Sequence, residues 1–125
     1  MIADTTYLSD LQREHERGVR GPARQFAIGH RARPILVTVI SVGELAVIFE
    51  SAREARAFLN ARRVLRLTPE IAYAAAAVDR ELIATGERLG ENDNWIAGFC
   101  RYYGQALISR DVAFDRVNGL RRVSY

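Results

Sequence analysis

The stretch Met1-Ile2-Ala3-Asp4-Thr5-Thr6 decides how the rest of the chain is organised. Three apolar residues followed by Asp-Thr-Thr predict a buried strand that runs straight into a helix, because Asp and Thr oxygens accept hydrogen bonds from the free N–H groups of a helix start. Asp4 therefore stands at the carboxyl end of the first strand. By itself this stretch explains Asp4 as a helix cap, which is the simpler interpretation.

The strongest strand pattern is Ile35-Leu36-Val37-Thr38-Val39-Ile40, which is apolar and β-branched, as is typical of a central parallel strand. A polar cluster follows it. Ser41 and Glu44 in that cluster have the S-x-x-E spacing of a capping box, in which Ser41 begins a helix and Glu44 reaches back to its start. The pattern thus gives Glu44 a structural explanation and predicts that the strand ends at Ile40.

Two later segments again place an acid at the start of a helix or the end of a strand. Glu91-Asn92-Asp93-Asn94 predicts a helix start with Asn92 as the cap and Asp93 in the first turn, where a carboxylate favours the helix dipole. Residues 105–109 predict a strand that ends in Ser109-Arg110-Asp111. Each acid therefore has a local structural role available to it.

The remaining segments alternate between helical and extended patterns. Helices are predicted over 7–17, 23–30, 51–62 and 69–84, and short strands over 64–67 and 122–124. This alternation predicts an α/β fold with a mostly parallel central sheet of four to five strands and helices on both faces. The length and the hydrophobic content of 49% predict one compact domain over residues 1–125.

All 18 basic residues are arginine, since the sequence contains no lysine. This excludes a phosphate-loop lysine and Schiff-base chemistry. Biased coding composition is one origin of the arginine excess, but guanidinium groups also match phosphate geometry, so the net charge of +3 is compatible with nucleic acid binding. The densest basic stretch is residues 53–66. The sequence is equally consistent with a solvated surface there and with contact to RNA phosphates.

The only cysteine, Cys100, excludes an internal disulfide. It lies in the apolar stripe of a predicted helix, which favours a buried residue over a nucleophile. A strand that begins at Met1 leaves no room for a signal peptide, and no apolar run approaches the roughly 20 residues of a membrane span. We therefore expect a cytoplasmic protein that does not enter a membrane.

In the predicted sheet, the four acids all lie at or near the same edge. Asp4, Glu44 and Asp111 each follow a strand, and Asp93 opens the helix before the last of these strands. The carboxyl ends of parallel strands share one edge, where such folds place their sites. Four carboxylates gathered there would repel one another, and Mg²⁺ or Mn²⁺ would relieve that repulsion. Capping explains each acid separately but not their gathering on one edge.

Four short motifs resemble those of PIN-domain nucleases, in particular the VapC-type toxins of bacterial toxin–antitoxin systems. In chain order they are Ile2-Ala3-Asp4-Thr5-Thr6, Ile40-Ser41-Val42-Gly43-Glu44-Leu45, Asn92-Asp93-Asn94-Trp95-Ile96-Ala97, and Ile108-Ser109-Arg110-Asp111 with Phe114. Each motif is weak alone, but their order, spacing and match to the total length make the combination fairly specific. The resemblance covers essentially the whole chain.

The resemblance implies a Mg²⁺-dependent endoribonuclease that cleaves structured RNA such as tRNA or rRNA, as the toxin of a type II toxin–antitoxin pair. It assigns the metal, for which Mn²⁺ is a substitute, directly or through water to Asp4, Glu44, Asp93 and Asp111. The metal would polarise the scissile phosphate and activate the attacking water, so no histidine is required. The resemblance also implies a homodimer and a cognate antitoxin whose C-terminal segment covers the site.

Supporting roles are assigned to neighbours of the four acids. The residues expected to orient waters or phosphate oxygens are Thr5, Thr6, Asn94 and Ser109, and those expected to contact the RNA backbone are Arg110 and Arg116. Asp115 is an alternative to Asp111, although a solvated turn is the simpler interpretation. Trp95 stands where the family usually has a smaller aliphatic residue. We interpret Trp95 as a core residue, with the stacking of an unpaired base as the alternative.

Two other classes of protein share some of these features. A catalytically silent PIN-like module would bind RNA or protein through its arginine surface, and its RNA binding would survive chelation and the loss of Asp93. A doubly wound nucleotide- or phosphate-binding domain is the weaker rival, because the sequence has neither a glycine-rich loop nor a lysine. The silent module is therefore the main alternative to a nuclease.

Overall fold

A computed structural model describes all 125 residues of the chain. Its strands and α-helices are β1 Ile2–Ala3, α1 Thr5–Glu16, α2 Pro22–Gly29, β2 Leu36–Thr38, α3 Val39–Ala46, α4 Ala52–Leu59, β3 Arg63–Leu65, α5 Pro69–Thr85, α6 Glu91–Tyr103, β4 Leu107–Ile108 and β5 Arg122–Val123. A short 3-10 helix, Val112–Arg116, lies between the last two strands. None of the helices has the length and apolar character that crossing a lipid bilayer requires.

The five strands form one sheet in the order β3-β2-β1-β4-β5, and every neighbouring pair is parallel. The first strand of the chain therefore occupies the centre. Within it, Ile2 lies opposite Leu36 on one side and Leu107 on the other. The carboxyl ends of all five strands face the same edge of the sheet, as the sequence predicted for a parallel α/β fold.

Apolar side chains fill both faces of this sheet, because successive residues of a strand point in opposite directions. Ala3 and Ile108 belong to a core cluster with α1 and α2, while Ile2 and Leu107 belong to a second cluster with α5 and α6. Cys100 is buried in the second cluster, and burial raises the pKa of its thiol to about 12. A thiol that resists ionisation in this way is unsuited to act as a nucleophile.

Helices α5 and α6 pack closely because small residues face each other at their contact. A Cβ atom built on Gly98 would lie 2.6 Å from Cβ and 2.8 Å from Cα of Ala75, which leaves no room for a side chain. The close approach also lets Asn94 of α6 donate a hydrogen bond of 3.1 Å to the carbonyl oxygen of Ala75. The start of α6 is thereby held at a fixed position against α5.

The predicted boundary between β2 and α3 is wrong by two residues. Strand β2 ends at Thr38, and the Thr38 side chain caps α3 by accepting a hydrogen bond of 3.1 Å from the Ser41 amide. Ser41 therefore lies inside the helix and is not its cap. Since the helix starts at Val39, Glu44 is too far along it to complete a capping box. Helix capping therefore does not explain why an acid stands at position 44.

The predicted cap of α6 is also wrong. Helix α6 is preceded by Gly90, which offers no side-chain cap, and Asn92 lies within the first turn. The side chain of Asn92 is consequently free to contact another element. Helices α4 and α5 do have side-chain caps, since Ser51 and Thr68 accept hydrogen bonds from the amides of Glu54 and Ile71 respectively.

Candidate active site

Asp4 lies at the carboxyl end of the central strand and is only 4% exposed. One of its oxygens, Oδ1, accepts a hydrogen bond of 2.6 Å from the Tyr7 amide, so Asp4 does cap α1 as predicted. Burial raises the pKa of Asp4 to about 6. Hydrogen bonds from Ser109 and Tyr7 act in the opposite direction, and the charges of Asp93 and Asp111 raise the pKa further. The cap therefore does not account for the whole environment of this acid.

Ser109 joins Asp4 to Asp111. The Ser109 side chain is fully buried, and its hydroxyl both hydrogen-bonds the Asp4 carboxylate and accepts a hydrogen bond of 3.0 Å from the Asp111 amide. Asp111 itself is exposed and caps the 3-10 helix through a 2.8 Å hydrogen bond from the Ala113 amide to Oδ1. The end of β4 thus brings a second carboxylate to the edge where β1 ends.

Glu44 is held by donors from two other parts of the chain. The Thr5 hydroxyl donates to Oε2, and the Asn92 side-chain amide donates a hydrogen bond of 2.7 Å to Oε1. Thr5 begins α1 directly after the central strand, and Asn92 lies in the first turn of α6. A single carboxylate therefore ties α3 to the starts of α1 and α6, which fixes its position at the same edge of the sheet.

Asp93 follows Asn92 in the first turn of α6 and is partly buried. Burial is the main reason that the pKa of Asp93 lies above its ordinary value, and the negative charges of Asp111 and Glu44 raise it further. Because the charges of Asp93 and Asp111 also raise the pKa of Asp4, the four acids form one electrostatically coupled group. The structure brings together all four acids that the sequence analysis selected.

The four acids are not arranged around one point. No group of three or more acidic, histidine or cysteine side chains is placed to hold a metal ion. Both oxygens of Glu44 and one oxygen each of Asp4 and Asp111 accept hydrogen bonds from protein donors. The chemistry of the group nevertheless fits Mg²⁺ or Mn²⁺, since every donor is a carboxylate oxygen and the acids disfavour each other's charged forms.

The other predicted site residues divide into two sets. Thr5 and Ser109 contact the acids directly, as described above. Thr6 is exposed, and Asn94 turns away from the acids toward α5. Arg116 is exposed at the end of the 3-10 helix, without an ion pair.

Arg110 has protein partners near the acids. Its guanidinium carbon lies 4.1 Å from the ring centroid of Tyr125, and its Nε donates to the Tyr125 backbone oxygen over 3.2 Å. Its Nη1 also lies 3.6 Å from a carboxylate oxygen of Asp10. Asp115, the alternative to Asp111, forms a bidentate ion pair with Arg122 through distances of 2.8 and 2.7 Å. Asp115 therefore has a structural partner of its own.

Asn92 is the residue that the sequence analysis missed, because it was interpreted only as a helix cap. The signal that could have identified it is its position beside Asp93 in a helix that begins after Gly90. Its contact with Glu44 makes it part of the candidate site.

Comparison with known proteins gives one family match. A family model described as PIN domain matches residues 1–120. A comparison with curated protein sequences finds no match.

Solved structures share the fold at low sequence identity. VapBC2 from Rickettsia felis, bound to a DNA fragment from its promoter, is 15% identical with a TM-score of 0.82, covering 98% of this chain and 96% of that chain. VapBC-1 from nontypeable Haemophilus influenzae is 19% identical with a TM-score of 0.78 and the same coverage of both chains. A toxin–antitoxin complex from Klebsiella pneumoniae is 20% identical with a TM-score of 0.69, covering 95% of this chain and 93% of that chain. These likenesses confirm the PIN-like fold expected from the sequence.

Proposed function

This chain belongs to the PIN domain family, and on that basis we propose that it is a divalent-metal-dependent endoribonuclease. Its role is that of the toxin in a type II toxin–antitoxin pair, and its substrates are structured RNAs such as tRNA or rRNA. The structural likeness to VapBC and other toxin–antitoxin complexes supports this assignment.

The observation that carries the proposal is the coupling of four carboxylates at one edge of the sheet. They come from four separate segments of the chain, and the helix-capping explanation fails for Glu44. Burial and mutual repulsion raise the pKa of Asp4 and Asp93, which is costly in a metal-free fold. A site that binds a divalent cation explains why such acids occur together.

The residues that would hold the cation are Asp4, Glu44, Asp93 and Asp111, directly or through water. When bound, the cation polarises the scissile phosphate and lowers the pKa of the attacking water. The protein contributes by holding the acids in position. Thr5 and Asn92 orient Glu44, and Ser109 orients Asp4 relative to Asp111. We propose that Arg116, which is exposed and forms no ion pair, contacts the RNA backbone.

The proposed partners are a second copy of this chain and a cognate antitoxin. The likeness to solved toxin–antitoxin complexes supports the antitoxin partner. Expression of the toxin in bacteria should arrest growth, and co-expression of the antitoxin should relieve the arrest. Light scattering of the purified chain measures whether it is a dimer.

The test of activity is incubation of the purified protein with tRNA and rRNA in Mg²⁺, in Mn²⁺ and in excess EDTA. We expect discrete fragments in either metal, none in EDTA, and none with the Asp93→Asn variant. The matched control is Asp115→Asn, which removes a carboxylate that is paired with Arg122 and should retain cleavage. Intact RNA in every condition, with calorimetry showing no binding of Mg²⁺ or Mn²⁺, would refute the nuclease assignment.

A second candidate is the catalytically silent PIN-like module. The observation that favours it is that no three acids are placed to hold an ion. This module would bind RNA equally well in EDTA and Mg²⁺, and Asp93→Asn would leave the affinity unchanged. Gel-shift measurements with the two proteins therefore separate the candidates independently of cleavage.

A further inference from the structure

Residues 109–111 connect β4 to the 3-10 helix and include one of the four acids, Asp111. Strand β4 ends directly before this segment and the 3-10 helix begins directly after it, so no regular secondary structure fixes the three residues. Arg110 and Asp111 are also exposed. The position of Asp111 relative to Asp4 therefore depends on the contacts that hold this segment.

Tyr125 contacts the middle residue of the segment in two ways. Its ring centroid lies 4.1 Å from the guanidinium carbon of Arg110, and its backbone oxygen accepts a hydrogen bond of 3.2 Å from Arg110 Nε. A guanidinium group over an aromatic ring is attracted by the negative face of that ring. The side chain of Arg110 is therefore held against Tyr125.

Tyr125 is in turn anchored on α1. Its hydroxyl donates a hydrogen bond of 2.8 Å to Oδ2 of Asp10, and its ring packs edge-to-face on Tyr7 with the ring centroids 4.8 Å apart. Burial and the hydrogen bond to Asp10 raise the pKa of the Tyr125 hydroxyl, which therefore remains a donor at neutral pH. The amide of Tyr7 is the group that donates to Asp4. Tyr125 is thus tied to the helix start that holds Asp4.

Strand β5 holds the first residue of the segment. The amide of Ser109 donates a hydrogen bond of 3.1 Å to the backbone oxygen of Val123, and the Ser109 hydroxyl accepts one from the amide of Asp111. Strand pairing therefore fixes Ser109, and Tyr125 fixes Arg110. Both residues that precede Asp111 are held by residues 123–125.

We infer that Tyr125 is a positioning residue for Asp111, because it holds Arg110 against α1 and thereby keeps the Asp111 carboxylate in place relative to Asp4. The inference rests on the proposed function, since this placement matters for activity only if the two acids serve one cation. In this role the guanidinium group of Arg110 supports the site and is not required as an RNA contact.

A purely structural role for Tyr125 makes a different prediction. Its ring belongs to an aromatic cluster with Tyr7 and Phe26, and Phe26 lies 5.7 Å from Tyr7 and 6.5 Å from Tyr125 between ring centroids. Phe26 is not among the partners of Arg110. Phe26→Leu is therefore the matched control, because it disturbs the same cluster and leaves the contact between Arg110 and Tyr125 intact.

The first measurement is amide hydrogen exchange, followed by NMR in EDTA. Tyr125→Leu keeps an apolar side chain but loses both the ring on Arg110 and the hydroxyl on Asp10. We expect the amides of Ser109 and Asp111 to exchange about tenfold faster relative to core amides, because a cation–π contact and a hydrogen bond are lost together. Phe26→Leu should show no such selective change.

Two further variants test the same contact if Tyr125→Leu does not fold. Tyr125→Phe loses only the hydrogen bond to Asp10 and should restore most of the native protection. Arg110→Gln leaves the aromatic cluster unchanged and should loosen the amides of Ser109 and Asp111 as Tyr125→Leu does. Combining Arg110→Gln with Tyr125→Leu should add little, because both substitutions break one contact.

The second measurement is the affinity for Mn²⁺, determined by calorimetry without RNA. Tyr125→Leu changes no charge, yet we expect it to weaken Mn²⁺ binding by about tenfold, because residues that orient metal ligands contribute to metal affinity. Tyr125→Phe should bind nearly as the native protein does, and Phe26→Leu should keep the native affinity. These comparisons separate the position of Asp111 from the general stability of the fold.

Two results would overturn the inference. One is a uniform increase in exchange with Tyr125→Leu, as expected of a residue that only fills the cluster, and the other is native Mn²⁺ affinity in that variant. Selective loosening of Ser109 and Asp111 in a native protein that binds no Mn²⁺ would retain Tyr125 as the residue that fixes Asp111. That result would instead remove the metal-dependent nuclease.

Discussion

The side-chain amide of Asn92 donates a hydrogen bond of 2.7 Å to Oε1 of Glu44, although the two residues are 48 positions apart in the chain. The other oxygen of Glu44 accepts from Thr5. Donors on both oxygens hold the carboxylate in one orientation. Glu44 is therefore kept in a fixed position at the edge of the sheet where Asp4 lies.

Loss of the Asn92 amide should impair the site through Glu44. We expect Asn92→Ala to reduce RNA cleavage about 10- to 100-fold and to raise the Mg²⁺ concentration needed for half-maximal rate, because a residue that hydrogen-bonds a metal ligand fixes the orientation of that ligand. Single-turnover rates across a Mg²⁺ series measure both effects. Asn60→Ala, at an exposed position after α4, is the control and should behave like the native protein. A lower melting temperature with an unchanged Mg²⁺ requirement would show that Asn92 only supports the fold.

Asp4→Asn should stabilise the metal-free protein at neutral pH. The folded state raises the pKa of Asp4 from 3.8 to about 6, so the folded protein holds this proton more tightly than the unfolded chain does. The contribution of Asp4 to the free energy of unfolding therefore falls as the pH rises from about 4 to about 6, by up to about 3 kcal/mol. Asparagine keeps an oxygen that can accept from the Tyr7 amide but carries no charge.

Urea unfolding in EDTA at pH 4 and pH 7 measures this difference. The variant should gain stability over the native protein at pH 7 and lose the gain near pH 4. Asp115→Asn provides a control of opposite sign, because Arg122 lowers the pKa of Asp115 and the substitution removes a favourable ion pair. Destabilisation by Asp4→Asn at pH 7 would mean that the helix cap outweighs the repulsion.

Arg116 and Arg110 should respond differently to substitution. Arg116 has no ion pair, so Arg116→Ala should leave the melting temperature unchanged, weaken RNA binding and reduce the salt dependence of the affinity by about one unit. Arg110 packs on Tyr125, so Arg110→Ala should lower the melting temperature. Binding titrations at several salt concentrations and thermal melts measure the two effects. An unchanged salt dependence with Arg116→Ala would remove Arg116 from the RNA-binding surface.

Gly98→Ala should destabilise the packing of α5 on α6. The new Cβ would collide with the backbone of Ala75, which cannot move as a flexible side chain would, and we expect a loss of about 1–3 kcal/mol. Gly43→Ala is the matched control, because nothing lies within 4 Å of a Cβ at that helical position. It should stabilise the protein by about 0.4–1 kcal/mol. Equal stability of the two variants in urea unfolding would contradict the close helix contact.

The parallel sheet and its acidic edge could be predicted from the sequence because strand patterns were each followed by polar residues. The boundary of β2 could not, because Val39 and Ile40 continue an apolar, β-branched run. Periodicity alone does not separate the end of a buried strand from the apolar first turn of a helix. The Thr38 hydroxyl sets the boundary between β2 and α3 by capping α3. It does so through a hydrogen bond that the hydrophobic pattern does not reveal.

The contact of Asn92 with Glu44 could not be predicted for a different reason. It depends on where α6 lies relative to α3, and α6 is held against α5 by the close contact of Gly98 with Ala75. The local sequence around Asn92 fits a helix cap equally well. Only the three-dimensional arrangement shows that its amide is used by Glu44.

The order of the strands also determines when the acidic edge is completed during synthesis. Strand β1 is synthesised before the other four strands, yet it lies between β2 and β4, and β4 pairs in turn with a strand formed by residues 122–123. A nascent chain that ends before β4 has Asp4, Glu44 and Asp93 but neither Asp111 nor the buried serine that joins it to Asp4. The four acids can therefore assemble only after β4 and Asp111 have been synthesised and have joined β1, so the first three acids wait for a segment about a hundred residues after the central strand.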